Sequence, residues 1–570
     1  MTPDAPMLAG TPGKSPPAAA STISVGPIGA PRPGPCNVLL IYPKFNAGSF
    51  WNYRETCEIV GAKYPASPLG LITVAAMLPA DWTSRLVDRN VETLAEADLE
   101  WADMVMTGGM LPQQGDALEI IEMCRARGTP VVVGGPDVTS SPPVYDAADF
   151  KVHGEAESII EAFLDAWRAG ALGGTFAGPK FQADVTKSPV PRFDLLKFEN
   201  YLHVGVQFSR GCPFNCEFCD IIELYGRMPR TKTSAQMLAE LDALYALGYR
   251  GHVDFVDDNL IGNKKSVKAY LPTLIAWQRA KRFPFEFSTE ASLNLSDDEK
   301  LMALMRDAGF FSVFIGIESP DSAVLVMAQK KQNTKRDIAQ SVHKIYENGL
   351  FVLAGFIVGF DNEGGSVAEP IIDLIEEAAI PVAMVGLLYA LPNTQLTRRL
   401  TMEGRLHPDH DIDVDDGSAD QCLSGLNFDT KRPRGEVLRD YRQVVGTIYS
   451  PEKYFGRVAR VGRMLRMAGG IWPVDLGHVW HDVKQVTRLI IAINVQKPEL
   501  RLPFWKTMLG CLFTNPMATK SVLMMIALYV HLGPFSRYVT SQIGVKIDAV
   551  ESGAWQPPVG HSEPAMVAAQ

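Results

Sequence analysis

Three cysteines within eight residues are the side chains of this sequence whose spacing most clearly points to chemistry. They stand in the run Cys212-Pro-Phe-Asn-Cys216-Glu-Phe-Cys219, directly after an apolar segment typical of a β-strand. In an iron–sulfur cubane each cysteine thiolate holds one of the four irons. The loop therefore predicts a [4Fe–4S] cluster held by Cys212, Cys216 and Cys219, with the fourth iron free of a protein ligand.

An open iron in such a cluster can chelate the amino and carboxylate groups of S-adenosylmethionine (SAM). An electron from the reduced cluster would then break a sulfonium C–S bond and release a 5′-deoxyadenosyl radical. The alternative is a zinc site, which normally has four protein ligands and often a second C-x2-C pair. Cys422 and Cys511 stand alone, and no nearby His completes a tetrahedron. The spacing therefore favours the cluster.

Composition limits the class of protein and its partners. A chain of 570 residues predicts roughly three or four domains. The apolar fraction of 46% and charged fraction of 21% are ordinary for a soluble globular protein. A net charge of −10 gives no electrostatic footprint for nucleic acid, so no such partner is expected. The eight cysteines do not form a disulfide framework, and a metal site predicts a reducing, cytoplasmic location.

Both ends of the chain are expected to be disordered. Residues 1–35 are rich in Pro, Ala, Gly and Ser and bury too little apolar surface to offset the entropy of ordering. This segment also lacks the basic start and apolar core of a secretory signal. Residues 551–570 are again polar and Pro-rich. The longest apolar run, from Ser521, is shorter than the roughly 18–20 residues of a membrane-spanning helix.

Residues 36–165 alternate short apolar strands with helical stretches, which predicts a Rossmann-like parallel sheet with right-handed crossovers. The predicted strands are Asn37–Pro43, Ser84–Asn90, Asp103–Gly109, Pro130–Pro136 and Asp149–Glu155. Ligands of such sheets bind at the carboxyl ends of the strands. Five candidate ligand-contacting glycines lie there: Gly108, Gly109, Gly134, Gly135 and Gly154. The alternative is that they are ordinary turn glycines.

A polar linker, residues 166–195, leads to a second alternating region over residues 196–415. Its predicted strands are His203–Gly211, His252–Asn259, Pro284–Ser292, Phe311–Ser319, Phe351–Phe360 and Val382–Leu391. Six strand–helix units predict a partial (βα)6 TIM-type barrel that opens its active site at the carboxyl ends of the strands. Residues 416–550 lose the strand pattern and predict an α-helical domain. The expected fold class is therefore α/β with a helical C-terminal domain.

The cysteine loop and the six units that follow it resemble the radical SAM superfamily. The resemblance assigns six candidate SAM-binding residues: Phe218, Asp257, Asp258, Asn259, Glu290 and Glu318. It implies that Phe218 lies near the adenine and that the three residues ending the second strand bind the methionine amino end. The alternative for those three is that they cap the following helix. Glu290 and Glu318 end the third and fourth strands, in the region where the family contacts ribose, carboxylate and adenine.

A parallel-sheet domain directly before such a barrel resembles the cobalamin-binding subgroup of that superfamily. Many cobalamin domains carry a D-x-H-x-x-G motif whose His binds cobalt. That motif is missing here: before residue 200 there is one histidine, His153, followed by Gly154 and Glu155. The resemblance therefore implies cobalamin bound without a His ligand to cobalt, and His153 is interpreted as a structural residue at a strand end.

The most specific resemblance is to the hopanoid C-2 methylase type, which has an extra C-terminal helical domain. The residues that carry it are Pro43, Ser49–Asn52, Tyr64–Leu71, Met106–Pro112, Phe208–Gly211 and the cysteine loop. It implies a cobalamin-dependent radical SAM C-methyltransferase acting on an unactivated carbon of a polycyclic triterpenoid lipid. It also implies a flavodoxin- or ferredoxin-type electron donor. The alternatives are a cobalamin-dependent radical SAM cyclase or oxidase acting on another large apolar substrate, and a metal-binding electron carrier, which would not need six strand–helix units.

The helices after about Arg432 combine cationic and apolar residues, as in the run YFGRVARVGRMLRMAGG at residues 454–470. A basic amphipathic helix can lie in a membrane interface, which would suit a lipid substrate. The alternative is that its apolar face packs into the helical domain. Because the whole chain is acidic, any membrane contact has to come from a local cationic patch. Peripheral contact with the inner face of the membrane is therefore a second expectation beside a cytoplasmic location.

Overall fold

The structure is a computed structural model that describes residues 21–46, 48–408, 422–466 and 476–558. Parts of both predicted terminal tails, the predicted boundary at residue 415 and the end of the basic run at 467–470 lie outside these ranges. Within them, two seven-stranded sheets and one two-stranded ribbon are followed by a helical region. The expected α/β fold class with a helical C-terminal domain is therefore confirmed.

The first third of the chain contains the first sheet with its helices, and also α1 and β3, which pack with the second half of the protein. Its elements are β1 (Thr22–Val25), β2 (Asn37–Tyr42), α1 (Arg54–Val60), β3 (Tyr64–Ala66), α2 (Leu69–Ala75), β4 (Thr83–Asp88), α3 (Glu96–Trp101), β5 (Met104–Gly108), α4 (Gln114–Arg127), β6 (Val131–Gly134), α5 (Pro136–Ser140), β7 (Phe150–His153), α6 (Ile160–Arg168) and β8 (Gly174–Ala177). The strand order is β1-β8-β7-β6-β5-β2-β4, parallel except for β1. After β2 the chain adds β4 on one side of it and then returns to add β5 on the other side. Ligands of parallel sheets bind at such a reversal of strand order, so the ligand crevice is expected at the carboxyl ends of β2 and β5.

The first sheet extends beyond both boundaries that the sequence suggested. β1 lies within the segment expected to be a disordered tail, and β8 lies within the expected linker. The two strands pair antiparallel, and the N–H of Gly26 donates to the carbonyl of Gly173 at 2.7 Å. All four side chains of β1 are exposed, so backbone hydrogen bonds rather than apolar burial hold it. Composition therefore gave no sign of this strand.

The second sheet is a curled half-barrel that carries the cysteine loop. Its elements are β9 (Tyr201–Val206), β10 (Ser209–Arg210), α7 (Ile221–Leu224), β11 (Arg230–Thr231), α8 (Ser234–Ala246), β12 (Gly251–Phe255), α9 (Lys264–Ala280), β13 (Phe285–Ala291), α10 (Glu299–Ala308), β14 (Phe310–Glu318), α11 (Ser322–Met327), α12 (Ile338–Glu347), β15 (Phe351–Val358), α13 (Ala368–Glu377), β16 (Val382–Leu387) and α14 (Gln395–Met402). The order β16-β15-β14-β13-β12-β9-β3 is parallel throughout. The six predicted strands are present, and β3 joins them from the N-terminal region by pairing Tyr64 with Tyr201.

The C-terminal helices bridge the two open edges of the half-barrel. They are α15 (Arg434–Ile448), α16 (Pro451–Met464), α17 (Leu476–Ile491), α18 (Arg501–Thr514) and α19 (Thr519–Glu551). On one side Tyr441 of α15 donates a hydrogen bond to the carbonyl of Val385 in β16 at 3.1 Å. On the other, Thr56 of α1, just before β3, donates to the carbonyl of Ala527 in α19 at 2.8 Å. Because α19 packs on both α15 and α1, it spans the gap between the edge strands.

α19 is longer and more apolar than the run from Ser521 suggested. Among the described helices it alone meets the length and composition of a membrane-crossing helix, over Pro516–Glu551. However, 67% of its most apolar window is buried inside the protein. Tyr454 of α16, for example, donates a hydrogen bond to the carbonyl of Met525 at 2.7 Å. Burial of this kind identifies α19 as the central helix of the C-terminal domain.

The described part of the basic run, residues 454–466, packs its apolar face inside the protein. In α16 the apolar side chains of Tyr454, Phe455, Val458 and Val461 are buried in the domain core. Arg457, one of the cations of the run, is fully buried. The expected membrane contact of this helix is therefore corrected: its apolar residues serve the core, as the packing alternative held.

Arg457 ties α16 to the half-barrel, and its loss should destabilise the fold. Its guanidinium forms an ion pair with Glu376 and donates to the carbonyls of Ile380 and Ile448. We expect Arg457→Met to lower the free energy of unfolding by about 3–5 kcal/mol, because buried acceptors lose their donor. Arg460→Met is the matched control. Arg460 contacts the same carboxylate at 2.9 Å from a 40% exposed position, and an exposed pair contributes less than about 1 kcal/mol. Equal losses in chemical denaturation would contradict this assignment.

Candidate functional site

The cysteine loop lies at the carboxyl edge of the half-barrel, directly after β10. Cys216 is buried, and Cys212 and Cys219 are partly buried. Burial is the main cause that raises the pKa of all three thiols; the charge of Cys216 raises the pKa of Cys212 and Cys219 further, and the charge of Cys212 also raises that of Cys219. Thiols in such surroundings stay protonated unless a cation replaces the proton. The three side chains therefore form a donor set suited to iron.

A single metal ion does not fit this loop as well as a cluster does. In the described parts of the chain, no three His, Cys, Asp or Glu side chains converge to hold one metal ion. A cubane needs no such convergence, since each thiolate binds a different iron. Amide groups of neighbouring elements approach two of the sulfurs: Asn259 Nδ2 lies 3.8 Å from Cys212 Sγ, and Gln332 Nε2 lies 3.9 Å from Cys216 Sγ.

The acidic residues just after β12 hold the backbone on the N-terminal side of the cysteine loop. Asp257 accepts hydrogen bonds from the N–H of Phe208 at 3.0 Å and from the Ser209 hydroxyl at 2.5 Å. Asp258 accepts from the N–H of Gly211 at 2.8 Å, immediately before Cys212. Burial raises the pKa of Asp257 to about 7 and that of Asp258 to about 6.

The structure does not show the capping role that was the alternative for the three residues after β12. Asn259 donates to the Ser292 hydroxyl at 3.1 Å as well as approaching Cys212, and it makes no side-chain cap for the following helical turn. The N-cap of α9 is Asn263, whose side chain accepts from the N–H of Ser266. The structure thus shows residues that position the loop, and their place near SAM stays a prediction.

Phe218, Glu318 and a lysine that the sequence did not reveal form the wall beside the cysteines. Lys330 donates to Glu318 Oε1 at 2.7 Å, and its Nζ lies 5.9 Å from the centre of the Phe218 ring. Burial alone would lower the pKa of Lys330. The charges of Glu318 and Cys216 have the larger combined effect, so the pKa of Lys330 is raised. Glu318 has a φ of 73°, a strained conformation for this residue type that the surrounding structure has to hold.

Glu290 is the clearest unsatisfied polar group of the barrel interior. Its Oε2 atom is buried and has no hydrogen-bond partner in the described protein. Burial, followed by the charge of Asp254, raises the pKa of Glu290 well above its ordinary value. An orphaned carboxyl oxygen at the end of β13 is suited to a hydroxyl or amino group of a ligand such as SAM. The residues present therefore fit the predicted cofactor.

The candidate cobalamin edge is formed by the carboxyl ends of β5, β6 and β7 and the loops that follow, where all five predicted glycines lie. Gly108 is required by packing: a Cβ there would lie 2.0 Å from the carbonyl oxygen of Gly134. Gly154 has a φ of 78° and no atom within 4 Å of its Cβ position, so it borders open space. The Oγ1 atom of Thr107, just before Gly108, is buried without a described partner. Close packing accounts for Gly108, while the space at Gly154 and the Thr107 hydroxyl fit a ligand.

An ion-pair network, here called the interdomain clamp and made of Arg210, Arg230, Glu155 and Glu157, joins this edge to the cysteine loop. Arg210 lies two residues before Cys212 and contacts Glu157 at 2.7 Å and Glu155 at 3.2 Å. Arg230 contacts Glu155 at 2.7 Å. Burial alone would raise the pKa of Glu157. The hydrogen bonds and the charge of Arg210 have the larger effect and lower the pKa to about 2. The clamp therefore holds the loop after Gly154 against the cysteine loop.

The sequence did not reveal the clamp or the support behind the cysteine loop. Glu217, between two of the cysteines, pairs with Arg399 of α14 at 2.8 Å, and Arg399 also contacts Asp361 at 2.7 Å. The two residues of each of these ion pairs are far apart in the chain, and their spacing matches neither a helical nor a strand period. Only the strand-end position of some of them, such as Glu155 after β7, hinted at a role.

Three family models match the chain, and they follow the observed architecture. A B12 binding domain matches residues 59–164, the radical SAM superfamily matches residues 206–375, and a domain of unknown function matches residues 394–544. The first covers β4 to β7 of the Rossmann-like sheet, and the second starts at the end of β9, just before the cysteine loop. The third covers most of the C-terminal helices.

Individual proteins extend the similarity along nearly the whole chain. An uncharacterized methyltransferase of Synechocystis sp. is 42% identical over 89% of this chain and 94% of its own length. The hopanoid C-2 methylase of Rhodopseudomonas palustris is 31% identical over 86% of this chain and 92% of its own length. The cobalamin-dependent SAM radical enzyme OxsB has the same fold, with a TM-score of 0.56, 13% identity and coverage of 93% of this chain and 82% of its own.

These similarities confirm the expected enzyme class and the expected cofactors. The match of the radical SAM superfamily to the loop and half-barrel accounts for the [4Fe–4S] cluster and SAM, and the match of the B12 binding domain accounts for cobalamin. Two relatives that are methyltransferases by name cover more than four-fifths of the chain. The chain therefore belongs to the cobalamin-binding branch of the radical SAM superfamily and is a radical SAM methyltransferase.

Proposed function

We propose that the enzyme methylates an unactivated carbon of a hopanoid, a polycyclic triterpenoid lipid. The observation that carries this proposal is a partly exposed aromatic pair where the N-terminal region meets the half-barrel. Trp51, which is 39% exposed, lies edge-on to Phe314 of β14 at a centroid distance of 5.4 Å, and the buried Phe50 and Phe535 pack edge-on at 6.0 Å behind Trp51. Aromatic faces suit a flat apolar ring system. The full-length similarity to a hopanoid C-2 methylase supports the same substrate class.

When bound, the cluster and SAM would supply the radical that removes a substrate hydrogen, and cobalamin, with SAM as the methyl source, would supply the methyl group. The chain is proposed to bind and orient them. Cys212, Cys216 and Cys219 hold the cluster. Asp257 and Asp258 fix the loop backbone so that the three sulfurs stay in place.

The remaining candidate residues are assigned by their position around the loop. Phe218, Glu290 and Glu318 are proposed to line the SAM site, where Glu290 offers its unpartnered oxygen. Asn259 is proposed to keep the Cys212 sulfur oriented. The glycine edge from Gly108 to Gly154 is proposed to receive cobalamin, which the clamp then holds beside the cysteine loop. A flavodoxin- or ferredoxin-type protein of the cytoplasm is proposed as the electron donor.

The Lys330–Glu318 pair predicts opposite shifts of the cluster reduction potential. Lys330→Gln leaves the Glu318 carboxylate uncompensated near the cysteines, so the potential should become more negative. Glu318→Gln leaves the ammonium instead, so the potential should become less negative. Redox titration followed by electron paramagnetic resonance (EPR) measures both shifts. Shifts of the same sign in the two variants would show that packing, not charge, dominates at this site.

Cobalamin is expected to bind without a histidine ligand to cobalt. His153 ends β7, and burial lowers its pKa, consistent with a neutral structural side chain. The EPR spectrum of the Co(II) form should therefore lack nitrogen superhyperfine splitting and stay unchanged in His153→Ala. Splitting that disappears in this variant would assign His153 as a cobalt ligand and contradict the expectation.

The proposed substrate is tested by mass spectrometry of lipids from cells that contain or lack the gene. Cells with the gene should contain a triterpenoid one methyl group heavier than its precursor. Cells that carry the Cys216→Ala variant should match cells that lack the gene. Identical triterpenoids in all three strains, with methylation of another compound, would remove the hopanoid proposal and leave the enzyme class intact.

A further inference from the structure

α18 is apolar on both of its faces. Its inner side chains, including Phe504, Met508 and Cys511, are buried, and the helix packs on α16. Its outer face carries a second apolar stripe at helical spacing: Leu502, Trp505, Leu509, Leu512 and Phe513. Leu502 is 79% exposed and Phe513 is 86% exposed. An ordinary surface helix has polar residues on this face, so the outer stripe needs a separate explanation.

A second exposed stripe runs along α17 and the helical turn that follows it. Its members are spaced on one side of the helix: Trp480, Val483, Ile491 and Val495. The two stripes meet at Asn494, whose carbonyl accepts from Arg501 at 2.8 Å and whose side chain accepts from Trp505 at 3.2 Å. Together the two stripes form one surface, here called the outer surface.

The outer surface is cationic in an otherwise acidic protein. The segment 480–517 contains five Lys or Arg residues, namely Lys484, Arg488, Lys497, Arg501 and Lys506, and two carboxylates, Asp482 and Glu499. Asp482 is paired with Lys520 at 2.8 Å, so it adds little free negative charge. The whole chain has a net charge of −10. The positive charge is therefore concentrated around the exposed apolar side chains.

We infer that the outer surface docks on an anionic lipid bilayer. Exposed Trp, Phe and Leu side chains with Lys and Arg around them are the composition of helices that lie in the membrane interface. The aliphatic side chains would enter the acyl boundary, Trp480 and Trp505 would lie at the headgroup level, and the cations would contact the headgroups. This surface replaces α16 as the docking element. The inference of membrane docking rests on the exposure and charge of this surface, not on the identity of the proposed substrate.

The test is binding of the full-length holoenzyme to vesicles of phosphatidylcholine with and without phosphatidylglycerol. The wild type should co-sediment with the anionic vesicles, and added salt should release it because salt screens the cations. Brominated lipids should quench its tryptophan fluorescence, and Trp505→Phe should reduce that quenching. Leu502→Ser/Phe513→Ser should lower the partition coefficient by about tenfold or more, since two large apolar side chains are lost.

A matched control separates docking from general stickiness. Leu172→Ser/Val545→Ser removes two exposed aliphatic side chains elsewhere, 51% and 63% exposed, and should bind as the wild type does. Equal binding of the wild type and the Leu502→Ser/Phe513→Ser variant would overturn the inference. Self-association that this variant abolishes, without vesicle binding by the wild type, would assign the surface to a second copy instead. Vesicle binding without triterpenoid methylation would leave the inference intact and remove only the proposed substrate.

Discussion

Replacing Cys212, Cys216 or Cys219 singly with Ala is expected to reduce deoxyadenosine formation to the level of a reaction without protein. Each thiolate is assigned a different iron, so the loss of one leaves two of the three anchors and the cluster is not retained. Iron content and the visible absorption of the anaerobically reconstituted protein measure cluster loss. Liquid chromatography with mass spectrometry measures deoxyadenosine.

The other buried cysteines provide the controls for this experiment. Cys57, Cys124, Cys422 and Cys511 are buried in apolar surroundings away from the loop. Their Ala variants should keep the cluster spectrum, with at most a small loss of stability. Loss of the cluster in Cys422→Ala or Cys511→Ala would contradict the assignment of an iron without a protein ligand.

Glu157→Gln is expected to separate radical formation from methyl transfer. Glu157 lies just after β7 of the first sheet and contacts Arg210 beside the cysteine loop, and the two side chains are only 5% and 14% exposed. Removing one partner of a fully isolated buried pair costs about 3–5 kcal/mol, and the loss here should be smaller because Arg210 keeps its contact with Glu155 at 3.2 Å. We therefore expect the yield of methylated product per deoxyadenosine to fall by about tenfold or more, while the cluster spectrum is retained.

The ratio of the two products is the decisive readout for the clamp. Glu119→Gln removes a glutamate of the same domain that pairs with Arg89 but is 65% exposed, and it should leave the ratio unchanged. A parallel decrease of deoxyadenosine and methylated product in Glu157→Gln would mean that the clamp supports the cluster loop alone. In that case the alignment of the two cofactor sites would have to depend on other contacts.

The sequence predicted the parts of the fold whose signal is local. Central strands of both sheets are buried on both faces and stand out as apolar runs, as in Val38–Ile41. The cysteine motif spans eight residues of a single loop, so its spacing was readable without any knowledge of the fold. The sequence also predicted a candidate site at the carboxyl ends of the parallel strands, and the structure places the cysteine loop at that edge.

The parts that the sequence missed depend on contacts between distant residues. β1 is held by backbone hydrogen bonds with all of its side chains exposed, and β3 is three residues long. The pair of Arg210 with Glu157 joins two charged residues that, read alone, look like ordinary surface positions. Asp257 was placed at the right strand end, but its partners are backbone N–H groups of the neighbouring loop, which no side-chain pattern encodes.

The most direct test of the account is a reaction of the anaerobic holoenzyme with SAM that carries a trideuterated methyl group. Cobalamin-dependent methyl transfer predicts a triterpenoid product that contains the intact labelled methyl group. Deoxyadenosine and S-adenosylhomocysteine should form alongside it, and the Cys212→Ala variant should form no labelled product. A modified lipid without the label, formed with deoxyadenosine but without S-adenosylhomocysteine, would contradict methyl transfer and identify a cyclase or oxidase instead.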